Sequence, residues 1–95
     1  MKRFVIERNI PGAGNLSAQE LQEISRRWCD AVSRLGKVDT WVLSFIGNDK
    51  IYCLHFAENE EVVREHAMIS EFPINTISEI KIIIDPTTSN PLPQT

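Results

Sequence analysis

Trp41-Val42-Leu43-Ser44-Phe45-Ile46, then Gly47-Asn48-Asp49, then Lys50-Ile51-Tyr52-Cys53-Leu54-His55-Phe56-Ala57 is the stretch that decides the fold. Two runs rich in aromatic and β-branched residues flank a turn of Gly, Asn and Asp, the signature of a β-hairpin from Val38 to Ala57. With Asn48 and Asp49 as the turn residues, Phe45 falls opposite Tyr52, Leu43 opposite Leu54 and Trp41 opposite Phe56, all on one face. Val42, Ser44, Ile46, Ile51, Cys53 and His55 occupy the other face. Both faces are therefore largely apolar, whereas a hairpin with one solvated face alternates into polar residues. Small groups such as Ser44 and Cys53 suit a face beneath helices, and the aromatic face suits an open sheet side that meets a partner.

Working outward, Lys2 to Arg8 reads as the first strand, with Phe4 and Ile6 alternating against Val5 and Glu7. The loop Asn9 to Asn15 is broken by Pro11, Gly12 and Gly14. Ser17 and Glu20 then form an S-x-x-E capping box, and Leu16 and Leu21 are placed for a hydrophobic staple. Leu21, Ile24, Trp28, Val32 and Leu35 recur at helical spacing, and Gly36 stands where a left-handed C-terminal cap belongs. After the hairpin, Asn59 caps a second helix with Glu60 and Glu61 in its first turn and a predicted buried face of Val62, Val63, His66, Ala67 and Ile69, ended by Pro73. The last strand is read at Ile77 to Asp85. Pro86, Pro91 and Pro93 mark an irregular tail, so one domain is expected over residues 1–88 with a tail at 89–95.

The order β, α, β, β, α, β predicts an α+β, ferredoxin-like fold: an antiparallel four-stranded sheet with two helices on one face. Because the other face does not turn polar, a homodimer with two stacked sheets is expected, and a chain of 95 residues buries too little surface to leave a second apolar face idle.

Composition narrows the function classes. The net charge of −3 and 42% hydrophobic content carry no basic footprint for nucleic acid. Apolar runs such as Ile82-Ile83-Ile84 are far short of a membrane span, and Met1-Lys2-Arg3 leads into a charged strand rather than a signal sequence, so a cytoplasmic protein is expected. Cys29 and Cys53 have no metal-ligand spacing and are read as thiols.

Glu7-Arg8-Asn9-Ile10-Pro11-Gly12-Ala13-Gly14, Leu16-Ser17-Ala18-Gln19-Glu20-Leu21, Trp41-Val42, Lys50-Ile51-Tyr52-Cys53, Asn59-Glu60-Glu61, Val63-Arg64-Glu65-His66-Ala67, Phe72-Pro73 and Ile84-Asp85-Pro86-Thr87-Thr88 together resemble a family of small bacterial nickel-binding proteins. The resemblance spans residues 2 to 88. It implies a ferredoxin-like domain that dimerises as a dimeric α-β barrel and takes a divalent transition metal, nickel in particular. The chain departs from the family's pattern at Leu43, where members often carry His or Gln, at Phe45, where they carry Tyr, and at His55, where they carry an aromatic residue.

Four residues are candidate metal ligands. His66 matches the Arg-Glu-His-Ala element and faces inward, where one imidazole nitrogen can meet a metal and the other a hydrogen-bond partner; the alternative is a buried histidine bonded to a backbone carbonyl. His55 and Cys53 share a strand face and offer the imidazole and sulfur that suit nickel, copper or zinc, although two ligands define no site and a buried Cys is commonly a small hydrophobe. Glu7 is an acidic residue inside an apolar strand, readable as a ligand, a proton acceptor, a partner for Arg8 of another subunit, or a strand-edge or solvent-facing side chain. A second reading uses Trp41, Leu43, Phe45, Tyr52 and Phe56 as the lining of an apolar cavity or dimer interface, which would serve a small apolar ligand or a cofactor-free enzyme. A third is a dimer with no ligand. Ser17, Ser33 and Ser44 have no legible His and Asp partners, and the Pro11 to Gly14 loop lacks a phosphate-binding pattern, so neither nucleophilic catalysis nor phosphate binding is supported.

Overall fold

The computed structural model describes residues 1–93, and it contains the expected element order. Strand β1 (Lys2–Asn9) leads through a 3₁₀ turn (Ala13–Asn15) to helix α1 (Ala18–Leu35), followed by β2 (Asp39–Ile46), β3 (Lys50–Ala57), helix α2 (Glu60–Ser70), β4 (Thr76–Ile80) and a second 3₁₀ turn (Pro86–Ser89). The strands form one antiparallel sheet in the order β2-β3-β1-β4, the ferredoxin-like topology. Among the described residues no helix is long and apolar enough to cross a membrane.

Local chemistry accounts for the helix ends. Ser17 Oγ accepts from the Glu20 amide at 3.1 Å while Glu20 Oε1 accepts from the Ser17 amide at 3.0 Å, so the capping box satisfies two otherwise orphaned donors. Gly36 closes α1 at φ 65°. Asn59 Oδ1 accepts from the Val62 amide at 3.0 Å and starts α2. That helix ends at Ser70, before Pro73, because Glu71 turns left-handed at φ 63° and its amide reaches back to the last carbonyls of the helix. Ser70 thereby takes an inward position and Ile69, expected inside, is only half-buried.

Phe4, Ile6, Trp28, Ile51, Cys53, Ala57, Val62 and Val63 form the core between the helices and one sheet face. Arg8 is fully buried on the same face of β1. The opposite face is uncovered: Val5, Leu43, Phe45 and Tyr52 are exposed, Phe45 at 66%.

Two expectations are corrected. The last strand stops at Ile80 instead of reaching Asp85: its pairing with β1 runs from Thr76 opposite Glu7 to Ile80 opposite Arg3 and goes no further. Ile82, Ile83 and Ile84 consequently lie outside the sheet, 64–79% exposed. The hairpin pairs Phe45 with Tyr52 and Leu43 with Leu54 as expected, but a register shift between Trp41 and Leu43 sets Trp41 opposite His55 and Thr40 opposite Phe56. Val42 is the extra residue of a β-bulge, and one inserted residue transfers everything before it to the other face. Trp41 therefore lies on the helix side, its ring edge-on to Trp28 at 5.0 Å, and not on the open face.

Candidate functional site

The same bulge builds the candidate site. Strict alternation from Phe45 would point Asp39 at the open face; the extra residue turns it inward, diagonally adjacent to His55 on the neighbouring strand. The Asp39 side chain is buried, and its Oδ1 accepts from His55 Nδ1 at 2.9 Å. This bond leaves His55 Nε2 as the nitrogen available to another partner. Helix α2 lowers His66 onto the pair, with the two imidazole rings 5.0 Å apart and inclined at 64°.

His66 is fully buried, and its Nε2 lies 3.0 Å from the Trp28 carbonyl oxygen. A carbonyl can only accept, so Nε2 carries the proton and Nδ1 of the neutral ring presents a bare lone pair. Burial pushes the His66 pKa below the ordinary histidine value; the Trp28 carbonyl opposes this in part, and His55 adds to it. Nδ1 of His66 and Oδ2 of Asp39 are both buried without a hydrogen-bond partner. Buried polar atoms are nearly always paired, so two unpaired acceptors in one place are the strongest chemical signal in the molecule.

Asp39, His55 and His66 each offer a donor atom within 4.8 Å of the other two. Ligands on one ion, at about 2.1 Å each, stand about 3 to 4 Å apart, so closing this set takes a side-chain adjustment of about 1 Å. Two imidazoles and a carboxylate suit borderline divalent ions such as nickel, cobalt and zinc. A cavity of about 220 Å³, lined by Cys29, Val32, Asp39, Thr40 and Trp41, reaches Asp39 from the surface between α1 and β2.

The other sequence candidates lie elsewhere. Cys53 is buried on the helix side of β3, where its sulfur accepts from the Ser44 hydroxyl at 3.1 Å, outside the group of three. Glu7 sits on the opposite sheet face, engaged by the Lys50 ammonium and by the Thr76 hydroxyl at 3.1 Å. The hydrogen bond from Lys50, then that from Thr76, holds its carboxyl below the usual carboxylate range. Leu43, Phe45, Tyr52 and Phe56 share the open face, which Trp41 leaves.

Two residues escaped the sequence reading. Asp39 was hidden by the bulge, and its only signal is an acid at the start of a β-branched run. Arg8 carries the other missed charge: its guanidinium stacks 5.4 Å from the centre of the Trp28 ring and donates to the Pro73 carbonyl at 3.1 Å, leaving Nε and Nη2 unpartnered. The buried cation also disfavours a proton on His66.

Residues 4–80 match the profile of the family described as nickel responsive protein SCO4226-like. The chain belongs to this family. The crystal structure of SCO4226 from Streptomyces coelicolor A3(2) superposes with a TM-score of 0.73 at 13% identity, covering 86% of this chain and 99% of that one, a likeness of fold. No curated protein matches the chain.

Proposed function

We propose that the protein binds a divalent transition ion, nickel first among them, through Asp39, His55 and His66, and that it holds or senses the ion without turnover. The observation that carries this reading is that His66 Nδ1 and Asp39 Oδ2, both buried and both lacking a partner, belong to a group of three residues whose donor atoms lie within 4.8 Å of one another. The Trp28 carbonyl fixes the His66 tautomer and aims its lone pair, the outer support that metal-ligating histidines ordinarily have. Three protein donors leave positions for water or a further group. The ion would tie β2 and β3 to α2, so occupancy would change the coupling between sheet and helix, which is the physical basis for sensing.

The exposed face with Leu43, Phe45 and Tyr52 supports association with a second copy, in keeping with a cytoplasmic homodimer. The same face supports a second reading, in which an apolar ligand is held between two stacked sheets. Titration calorimetry of the metal-free protein with nickel chloride at pH 7 tests the first reading. One ion per chain is expected, with affinity reduced at least about tenfold in both His66→Ala and Asp39→Asn. Absence of nickel binding by the wild type would overturn it.

A further inference from the structure

His55, His66 and the Asp39 side chain are all buried, so an ion held by the three has to pass through protein to reach them. The cavity of about 220 Å³ between α1 and β2 is lined by Cys29, Val32, Asp39, Thr40 and Trp41, and its two ends differ. Cys29 is exposed and stands at the solvent end, whereas Asp39 is buried and stands at the inner end. The volume suits a hydrated ion, whose shell of about six waters at about 30 Å³ each fills most of it. Two other cavities, one beside Arg27 and one beside Met1, touch none of the three ligands.

The wall chemistry singles out two donors. Val32 is aliphatic, and the Trp41 indole N–H is spent on the Ser44 hydroxyl at 2.9 Å. Thr40 stands opposite Phe56, and strand alternation turns its side chain away from those of Asp39 and Trp41. That leaves a thiol at the mouth and, at the inner end, a carboxylate whose Oδ1 is tied to His55 and whose Oδ2 has no partner. An ion entering between largely apolar walls sheds water before it gains its final ligands, and a thiolate replaces that water for ions of the class that imidazoles also hold. Resting on the reading of Asp39, His55 and His66 as the ion site, the geometry points to Cys29 as its entry ligand: the thiolate takes a divalent transition ion at the mouth of the cavity and passes it to Asp39. As the sulfur–metal bond forms, one water leaves the ion and the thiol proton goes to bulk water. As an Asp39 oxygen replaces the sulfur, the thiolate regains a proton from water, and nothing is oxidised or reduced. Cys29 lies outside the group of three and holds the ion only in transit, so it speeds entry and exit by the same factor and leaves the equilibrium affinity alone.

Stopped-flow mixing of metal-free protein with nickel chloride at pH 7, followed by Trp28 and Trp41 fluorescence, gives the association rate, and mixing loaded protein with excess EDTA gives the dissociation rate. Cys29→Ser and Cys29→Ala are expected to slow both by at least about tenfold, the loss of a modest stabilisation of the ion in transit, with calorimetric affinity within about twofold of the wild type. Cys29→His, which restores a ligand at the mouth, should recover the wild-type rates. Capping the thiol with methyl methanethiosulfonate, which forms a methyl disulfide at Cys29 and releases methanesulfinate, should slow the wild type as the substitutions do; Cys53 is buried and escapes the reagent. Position 29 is exposed on α1, so the fold survives in each variant, as circular dichroism would verify. Wild-type rates in both Cys29→Ser and Cys29→Ala would remove the entry role and leave the ion site standing. A loss of affinity that matches the slower association would place Cys29 among the resting ligands and overturn the entry role equally. Absence of nickel binding by the wild type would bring down the site itself, and the route with it.

Discussion

His66 gives the folded protein a pH dependence whose sign follows from its surroundings. Burial lowers its pKa in the folded chain, whereas the unfolded chain titrates near the ordinary value of about 6.5. Below that pH the unfolded state takes a proton that the folded state refuses, so stability is fully present above about 6.5 and declines as the pH falls toward the folded value. One proton sets the ceiling on the slope at about 1.4 kcal/mol per pH unit, and between pH 6.5 and 5.0 the loss is bounded at about 2 kcal/mol. Against a total of about 5 to 15 kcal/mol for a small domain, such a loss is readily measured. Glu7, Glu20, Glu79 and Asp85 are held below their usual values of 4.5 and 3.8, so their contributions are present above those values and fade only in more acid solution. The window from 5.0 to 6.5 is thus separate from theirs. Urea unfolding of metal-free protein, followed by Trp28 and Trp41 fluorescence at half-unit pH steps, would compare wild type with His66→Gln, whose amide can still donate to the Trp28 carbonyl but does not titrate. The wild type should lose stability more steeply than the variant as the pH drops. Equal slopes, or a wild type that gains stability on acidification, would refute the assignment of a buried neutral imidazole. The same depressed pKa implies that protons compete weakly for Nδ1, so nickel affinity should persist to a pH below 6.5 rather than collapsing there.

Other outcomes can be checked with the same protein. Nickel at about 100 times its dissociation constant should raise unfolding free energy by about 2.7 kcal/mol in the wild type and by much less in His55→Ala, read from urea midpoints. Glu7→Gln should leave nickel affinity unchanged in calorimetry, since that carboxylate lies on the far side of the sheet with Lys50 and Thr76. Phe45→Asp should abolish association in sedimentation while preserving the monomer's circular dichroism, because Phe45 contributes to the open face and not to the core. Glu71→Gly should stabilise the chain by about 1 kcal/mol in thermal unfolding, by relieving a left-handed conformation at φ 63° in a residue with a Cβ.

Most of the fold was legible because its punctuation is chemical and local. Ser17 and Glu20 announce α1 within four residues, Gly36 ends it, Asn59 starts α2, and the Gly47 to Asp49 turn sets the hairpin pairing at Phe45 and Tyr52. The end of β4 was not legible, since propensity favours continuing through Ile82 to Ile84. The extent of the strand is set by its pairing with β1, a tertiary fact that belongs to a segment some 75 residues away. The end of α2 was obscured in a similar way: Pro73 is the visible stop signal, but Glu71 turns first, and no residue preference marks glutamate for a left-handed cap.

The site was half legible for a reason that follows from the sheet's two-residue period. His66 could be placed inward from helical spacing, and His55 could be assigned to the helix side from its position relative to Ile51 and Cys53, because neither step crosses an irregularity. Asp39 and Trp41 lie beyond the bulge at Val42, where counting by twos gives the wrong face for both. One inserted residue thus moved an aromatic side chain from the expected interface onto Trp28 and brought a carboxylate from solvent into hydrogen-bond contact with His55. Burying that carboxylate costs free energy unless something compensates it, and the compensation within the described residues is incomplete: Oδ2 has no partner. A bulge that imposed such a cost merely to end a strand would be replaceable by a regular register with an apolar residue at position 39. What the bulge assembles is a buried carboxylate beside two imidazoles, with Asp39 Oδ2 and His66 Nδ1 both left without a partner.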